Sequence, residues 1–448
     1  MKTTSNFSKL GFILASLGSA IGLGHIWRFP YMAGENGGGA FVLLFLVLAV
    51  SIGVSLLIGE MIIGNKGRGS VATSFKTLDP TKAKKWSFVS LFVITGPFIL
   101  TFYSVVLGWV LYYLVVVSFN LPPSVEQSGS TFTDLISNSI ALQTLCLFLV
   151  VFATAYFVIR GVKSGIEKLN YVLMPLLFII FIGLFFYAMS FDSFINSLKY
   201  MFVPDFSKIT PKTLIDALGQ MLFSLSLGTC TIISYASDTD KNQNLFSSAL
   251  WIVIPGIFIS LVAGIVIFTF VFEFSGNASS GPGLVFVTLP LIFHEMGTVG
   301  HLVSFLFMIG LLFAGITSTV SILEPTVKIC EDKFKLSRAK GSIYISIAIF
   351  IVGFLVILSM DKNAGSYLTF AKKTLFDWID LIAANYFLVF GALFSCIFVG
   401  WVIKIKQLKN YTSSFFGSAL FGIWIFLYRF VAPIVILAIL IYKVIIGA

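Results

Sequence analysis

The stretch that decides the fold runs from Gly18 to Phe41 and reads GSAIGLGHIWRFPYMAGENGGGAF. It continues an apolar segment that begins near Leu10, yet Gly18, Gly22 and Gly24 fall where a bilayer helix should be most regular, and glycine loosens the backbone because it lacks Cβ. In hydrocarbon, unwound backbone is stable only where it lines a cavity in the protein, since its free N–H and C=O groups need polar partners. The stretch therefore predicts a broken membrane helix with a polar ligand at the break.

The composition sets the class of protein. Hydrophobic residues make up 58% of the chain and charged residues 11%, whereas soluble domains carry about 25% charged residues. The mean hydropathy of +1.01 agrees. We therefore expect an all-α polytopic membrane protein in which residues 1–448 form one membrane domain, with the first helix retained because no signal-peptide cleavage pattern follows it.

A membrane span needs about 20 apolar residues, and about eleven segments of the chain meet that length. The predicted spans are residues 10–34, 40–64, 86–118, 140–160, 168–190, 212–238, 248–274, 301–329, 341–360, 374–403 and 413–446.

The distribution of basic residues predicts the orientation. Of the 29 Lys and Arg residues, twenty fall in segments on the side of the N-terminus, seven fall on the other side, and Arg28 and Arg429 lie within spans. Because cytoplasmic loops are enriched in Lys and Arg, we expect a cytoplasmic N-terminus and an external C-terminus in the plasma or inner membrane. The net charge of +10 then needs no nucleic acid, and anionic lipid headgroups are the expected partner of the basic segment 66–85.

The sequence contains no pattern typical of an enzyme. No nucleophile is paired with a base at a recognisable spacing. The cysteines lack the spacing of a zinc site or a disulfide framework, and we interpret them as packing residues: Cys146, Cys230, Cys330 and Cys396.

A second interruption falls in the sixth span, where Ser226, Gly228 and Thr229 interrupt an apolar run. On its own this pattern is equally typical of a kinked packing helix. Two spans broken at matching places, the first and the sixth, indicate a transporter made of two inverted repeats with its site near the middle of the bilayer.

Six segments, in order along nearly the whole chain, resemble the neurotransmitter:sodium symporter family. They are GLGHIWRFPY at 22–31, ENGGGAF at 35–41, FY at 102–103, GQMLFSLSLG at 219–228, GLVFVTLP at 283–290 and FAGITS at 313–318. The resemblance, with eleven spans, is to the bacterial amino-acid transporter branch. It implies inverted five-helix repeats at about 10–190 and 212–403 and an extra helix at about 413–446.

The resemblance implies a sodium site, called the second in this family, between the first and eighth spans. Its ligands would be the carbonyl oxygens of Gly18, Ile21 and Ala314 and the hydroxyls of Thr317 and Ser318. A hard cation prefers oxygen ligands, and an unwound helix frees carbonyl groups to supply them. Taken alone, the two hydroxyls would equally serve as contacts between helices.

The family's first sodium site is altered in this chain. Ala20 and Ser224 match its ligands, but His25 replaces an asparagine, and Gly256 falls where a second asparagine or aspartate is expected. Ser260 occupies a nearby position that is acidic or chloride-linked in the family. We therefore expect one sodium ion, at the second site, with either a protonated His25 or a neutral His25 of similar volume in place of the other ion.

The resemblance also implies a pocket for an amino acid. Family members that carry monoamines have an aspartate at the position of Gly22, so the substrate here should bring its own carboxylate. That carboxylate would meet the N–H groups near Leu23 and Gly24, at a helix N-terminus that favours anions, and the hydroxyl of Tyr103. The amine would meet Ala20, Phe223, Ser224 and Ser226, and the side-chain subsite would comprise Ile99, Phe223, Thr229, Ser318 and Ile322.

Two gates complete the expected transporter. Arg28 and Asp380 match the family's external ion pair above a lid of Tyr103 and Phe223, and an arginine within a span is by default a functional candidate. A permanent structural bridge would make the same contact.

At the cytoplasmic end, Asp332 matches the acidic gate residue, with Lys2 or Lys9 as its expected partner because the usual arginine is missing. Glu60, in the second span, is expected to hold N–H groups freed by a broken helix.

Three functions remain open from the sequence. The first is sodium-driven amino-acid uptake by alternating access. The second is uptake coupled wholly or partly to protons in the same architecture. The third is a receptor or channel-like protein that does not transport. Accumulation against a gradient would exclude the third, and ion replacement would separate the first two.

Overall fold

Helices account for nearly all the regular structure of the residues described by the computed structural model, which are 6–81, 83–274 and 283–446. The predicted gate residue Lys2 lies outside these residues. The helices are α1 Lys9–Ala20, α2 Gly24–Glu35, α3 Gly39–Gly67, α4 Val71–Leu78, α5 Lys85–Phe119, α6 Val125–Asn138, α7 Ile140–Ile159, α8 Val162–Ala188, α9 Phe194–Phe202, α10 Pro211–Ser224, α11 Thr231–Ser237, α12 Leu245–Glu273, α13 Leu284–Glu295, α14 Thr298–Lys333, α15 Arg338–Met360, α16 Leu375–Val402, α17 Ile405–Thr412 and α18 Ser418–Tyr442.

Nine helices in the described part of the chain are long and apolar enough to cross a membrane, and α1 with α2 forms a tenth span bent by 51°. The predicted sixth span is divided into α10 and α11, which have 14 and 7 residues. Each half is too short to cross alone, since a span needs about 20 residues. Both breaks therefore fall in the spans in which the sequence predicts them.

The broken helices lie at the centre of the bundle. The first half, α1, packs against α8, α12 and α14, and α11 packs against α3. α14 also packs against α5. Residues of α1 from Ala15 to Ala20 are all buried, which keeps the unwound backbone away from the lipid-facing side of the bundle.

Three features outside the long helices differ from the prediction. The last span begins at Ser418 rather than 413, after the short helix α17. A hairpin of β1 Thr369–Phe370 and β2 Lys373–Thr374 precedes α16, with Thr369 paired to Thr374. A buried apolar helix, α13, lies in a connection between spans. The inverted-repeat division stays a prediction.

Candidate functional site

The break in the first helix is held open by side chains from other helices. α1 ends at Ala20, and the next residue, Ile21, has a ψ of 85°, which is not helical. The N–H of Leu23 donates to the Tyr103 hydroxyl oxygen at 3.0 Å, and the Gln220 side-chain amide donates to the Gly24 carbonyl at 2.7 Å. The Leu23 N–H is thus met by a buried side chain, and the Gly24 carbonyl accepts from Gln220 in addition to the Phe29 N–H of α2.

The break in the sixth span contains three residues with positive φ: Ser226 at 52°, Gly228 at 80° and Cys230 at 64°. A Cβ on Gly228 would lie 2.0 Å from the Leu388 carbonyl oxygen, so the close approach of α16 requires glycine. The Gly228 N–H donates to Glu60 Oε1 at 2.8 Å. This contact confirms the prediction that Glu60 holds freed backbone N–H groups.

The two breaks contact each other directly. Ser226 Oγ donates to the Ser19 carbonyl at 2.9 Å, and Ser19 Oγ donates to Ser226 Oγ at 3.2 Å. Polar backbone from both interrupted spans therefore meets in the buried centre of the bundle.

A small cavity of about 20 Å³ lies at this meeting point, which is room for about one water molecule. Its lining includes ten of the twelve predicted substrate residues. The lining residues are Ser19, Ala20, Gly22, Gly24, Ile99, Tyr103, Phe223, Ser226, Thr229, Ser318, Ile322 and Leu388. The remaining two predicted residues are adjacent, because Leu23 bonds to Tyr103 and the Ser224 Cα lies 4.0 Å from where a Gly24 Cβ would be.

The position of Gly22 has no room for a side chain. A Cβ there would lie 2.5 Å from Ser318 Oγ and 2.7 Å from the Tyr103 hydroxyl oxygen. A fixed aspartate at this position would displace both polar groups. The residues that line the cavity include no Asp or Glu.

A larger vestibule of about 160 Å³ adjoins the small cavity. Gly24, Tyr103 and Phe223 belong to both linings, so the two rings lie between the two spaces, as expected of a lid. Arg28 and Asp380 both line the vestibule, and the Arg28 guanidinium lies 4.7 Å from the centre of the Phe223 ring. The predicted outer-gate residues are thus brought together around one opening.

The residues of the predicted second sodium site meet where α1 contacts α14. Ser318 Oγ donates to the Gly18 carbonyl at 3.0 Å, and Thr317 Oγ1 donates to the Ala314 carbonyl, also at 3.0 Å. Ile21 directly follows α1 with a non-helical ψ. Backbone carbonyls and two hydroxyls of the predicted ligand set therefore lie in one buried region.

The residues of the altered first site also meet. A Cβ on Gly256 would lie 3.0 Å from His25 Nε2, so the imidazole occupies the volume beside a residue that lacks a side chain. His25 is fully buried. Its ring approaches the Ala20 carbonyl at a geometry short of a hydrogen bond, and neither ring nitrogen has a hydrogen-bond partner in the described chain.

The predicted gate at the end of the bundle opposite the vestibule stays a prediction, because Lys2, one of the two expected partners of Asp332, lies outside the described residues. Asp332 accepts hydrogen bonds from Ser70 and Thr73, each at 2.5 Å, and so holds the N-terminus of α4. Among the described residues, ion pairs at this end join Lys328 of α14 to Asp238, which directly follows α11, at 2.6 Å, and Arg338 of α15 to Glu324 and Glu331 of α14. Lys328 thus links α14 to the inner half of the broken sixth span.

Two residues of the site, Ser19 and Leu388, were missed by the sequence analysis as ligand-contacting or positioning groups. Ser19 lies inside the quoted stretch, so it had a signal in its motif. Leu388 contributes a carbonyl and a lining surface from an apolar helix in which no polar residue marks it.

Comparison with known proteins agrees with this geometry. The family model described as "Sodium:neurotransmitter symporter family" matches residues 4–133 and 125–447 of this chain. An "uncharacterized sodium-dependent transporter YhdH" of Bacillus subtilis (strain 168) is 36% identical over 438 residues, covering 96% of this chain and 95% of the relative. An "uncharacterized sodium-dependent transporter" of Haemophilus influenzae is 33% identical over 451 residues, covering 97% and 96%.

Among solved structures, the crystal structure of MhsT in complex with L-phenylalanine matches with a TM-score of 0.89 and 36% identity, covering 97% of this chain and 99% of that one.

The chain therefore belongs to the sodium:neurotransmitter symporter family. It is a sodium-dependent symporter with many membrane-spanning helices, and its family comprises transporters, not enzymes. The resemblance to this family that six segments of the sequence carry is confirmed, and so is the all-α polytopic fold.

Proposed function

We propose that the protein imports an amino acid together with sodium by alternating access. The observation that carries this proposal is the cavity between the two broken helices, which is lined by freed backbone groups and hydroxyls and by no acidic residue. A substrate with both an amine and a carboxylate matches such a lining, whereas an amine alone would need an acidic partner. The related MhsT was crystallised with L-phenylalanine, which supports the same substrate class.

The substrate carboxylate binds at the N-terminus of α2, near Leu23 and Gly24, where helix N–H groups favour an anion. The Tyr103 hydroxyl, already bonded to the Leu23 N–H, rotates to donate to it. The amine binds the carbonyls of Ala20, Phe223 and Ser224 and the Ser226 hydroxyl.

The side chain of the substrate enters a subsite of Ile99, Phe223, Thr229, Ser318 and Ile322. Thr229 is small and leaves room in this subsite. Phe223 lines both the cavity and the vestibule, so movement of this lid residue enlarges the cavity for the substrate.

Sodium is carried at the site formed by Gly18, Ile21, Ala314, Thr317 and Ser318. The chemistry of this set fits the ion, because all its donors are neutral oxygens and a hard cation prefers oxygen. A neutral set is also suited to a monovalent ion rather than a divalent one, since less charge is left uncompensated in a buried site.

His25 serves as a neutral spacer in place of the family's first sodium ion. The imidazole is fully buried against Gly256 and has no hydrogen-bonded partner in the described chain, and a buried unpaired charge is costly. Transport coupled to protons through His25 is the second candidate, supported by the position of the imidazole beside Gly256 at the altered first sodium site.

The vestibule end, with Arg28 and Asp380, faces outward, and the Lys328–Asp238 end faces the cytoplasm. This orientation rests on the excess of Lys and Arg on the side of the N-terminus and corresponds to a bacterial inner or plasma membrane.

Competition binding tests the substrate class. A panel of amino acids and their decarboxylated amines is competed against a radiolabelled amino acid on purified protein in sodium. We expect the amino acids to compete and the matching amines to lose most of their affinity. Equal affinity of an amine and its parent amino acid would contradict the placement of the carboxylate.

A further inference from the structure

The side-chain amide of Asn170, on α8, has an oxygen without a partner. Asn170 is fully buried, and its amide nitrogen donates to the Ile166 carbonyl at 2.9 Å. Oδ1 has no hydrogen-bond partner in the described chain. Reversing the amide would set its oxygen against the Ile166 carbonyl, two acceptors facing each other, so the hydrogen bond fixes the orientation.

This oxygen lies against Gly18, two residues before the end of α1. It lies 1.9 Å from where a Cβ on Gly18 would be, and that position is 3.1 Å from the Cβ of Thr317. Any side chain at Gly18 would overlap the amide. The Gly18 carbonyl in turn accepts from Ser318 Oγ at 3.0 Å. The unpartnered oxygen therefore lies beside Gly18, a member of the predicted ligand set on α1, on the side of Gly18 that also faces Thr317 of α14.

We propose that Asn170 Oδ1 is a further ligand of the sodium ion held between α1 and α14, adding a sixth oxygen from a third helix. This inference rests on the proposed function. A buried acceptor without a donor is unfavourable, and a cation at this position satisfies it with the kind of oxygen that hard cations prefer. The amide adds no charge, so the set stays neutral and retains its match to a monovalent ion.

A ligand on α8 also links sodium binding to a helix outside the two broken spans. α8 packs against both α1 and α14, so an ion bound by all three helices holds them together. Loss of this ligand weakens sodium binding without removing any predicted contact to the substrate.

Sodium-dependent thermal stabilisation of the purified full-length protein tests this ligand. The melting temperature is measured against sodium chloride concentration at constant ionic strength, since an ion that binds the folded state raises it. We expect Asn170→Ala to raise the half-saturating sodium concentration by about tenfold, as for the loss of one contact to a charged group. Asn170→Asp, which keeps the oxygen and adds a charge, should lower it.

Gln143→Ala is the matched control, because Gln143 is a buried amide on α7 that accepts from Trp109 Nε1 at 2.9 Å. It should lower the melting temperature and leave the sodium dependence unchanged. A half-saturating concentration that is unchanged in Asn170→Ala, or in Asn170→Asp if the alanine variant does not fold, would overturn the inference.

Thr317→Ala separates this inference from the proposed sodium site. If wild type and Thr317→Ala show no difference in sodium dependence, the proposed site itself is wrong. If Thr317→Ala weakens sodium binding while the Asn170 variants match wild type, only the role of Asn170 is wrong.

Discussion

At the scale of single residues, glycines decide where the polar site can form. Gly18, Gly22 and Gly228 each lie against a polar atom of another helix at a distance that leaves no space for Cβ. The sequence predicts the first two from their place in an apolar span. It does not predict which atoms they meet, because those atoms come from α5, α8, α14 and α16.

Tyr103 gives the sharpest test of substrate contact. Tyr103→Phe removes the hydroxyl that accepts from the Leu23 N–H at 3.0 Å and that we propose donates to the carboxylate. A hydrogen bond to a charged group contributes about 1.5–3 kcal/mol, so the amino-acid Kd should rise by about 10- to 100-fold. Equilibrium binding at saturating sodium measures the change. Tyr112→Phe, on the same helix and away from the cavity lining, is the control and should bind as wild type does.

Gly22 gives a second test at this scale. Gly22→Ala should abolish substrate binding, because its Cβ would lie 2.5 Å from Ser318 Oγ and displace a proposed sodium ligand as well. Gly417→Ala, at a glycine with no atom within 4 Å of a built Cβ, is the matched control. If Gly22→Ala bound the substrate as wild type does, the substrate site would lie outside this cavity.

The pH dependence of binding tests His25. If the imidazole is a neutral spacer, amino-acid affinity at saturating sodium should be constant between about pH 5 and 8, the range in which an ordinary histidine titrates. An imidazolium beside the carboxylate would instead make affinity fall as pH rises. A fall that His25→Gln abolishes would replace our proposal with coupling to protons.

At the scale of elements, the two broken helices were predictable from the sequence. The contacts from other helices that stabilise the breaks were predictable only in part. Glycines and hydroxyls in apolar spans mark the breaks, and Glu60 was expected to hold one of them. The contacts of Leu388 have no local signal, since a carbonyl on an apolar helix contributes without a special side chain. The hairpin before α16 turns at Ala371 and Lys372, with φ of 49° and 64°, and lacks the Asn-Gly or Asp-Gly pair that identifies such turns.

Glu60 provides the test for an element. Glu60→Ala leaves the buried Gly228 N–H without its acceptor at 2.8 Å and should reduce stability by about 1–3 kcal/mol. Glu60→Gln keeps an acceptor oxygen and should be much milder. Thermal unfolding in detergent compares the two. If Glu60→Gln were as damaging as Glu60→Ala, the charge of Glu60, rather than its hydrogen bond, would be what matters.

At the scale of the whole molecule, the Lys328–Asp238 ion pair at the end opposite the vestibule was not predictable from the family pattern. The resemblance pointed to Asp332, whose gate role stays a prediction. Lys328 and Asp238 are 90 positions apart in the chain and match no motif, so only the packing of α14 near the end of α11 brings them together.

Labelling of Cys230 tests whether the Lys328–Asp238 ion pair keeps the end opposite the vestibule closed. Cys230 is buried in the second break, so its alkylation by a water-soluble maleimide requires an open path. In a Cys330→Ser background, Lys328→Ala should increase the labelling rate several-fold. Lys212→Ala, which removes an exposed pair with Asp216, is the control and should not. Unchanged labelling in Lys328→Ala would mean that the ion pair does not hold this end closed.

In the proposed mechanism, sodium entering through the α1–α14 site drives accumulation of an amino acid. One positive charge moving down 100 mV releases about 2.3 kcal/mol, enough for a concentration ratio of about 50. The direct measurement is uptake of a radiolabelled amino acid into proteoliposomes with an inward sodium gradient and a negative interior. We predict accumulation above equilibrium that is lost when potassium replaces sodium and is strongly reduced in the Thr317→Ala, Ser318→Ala double variant. Equal accumulation without sodium, or in the double variant, would contradict the account.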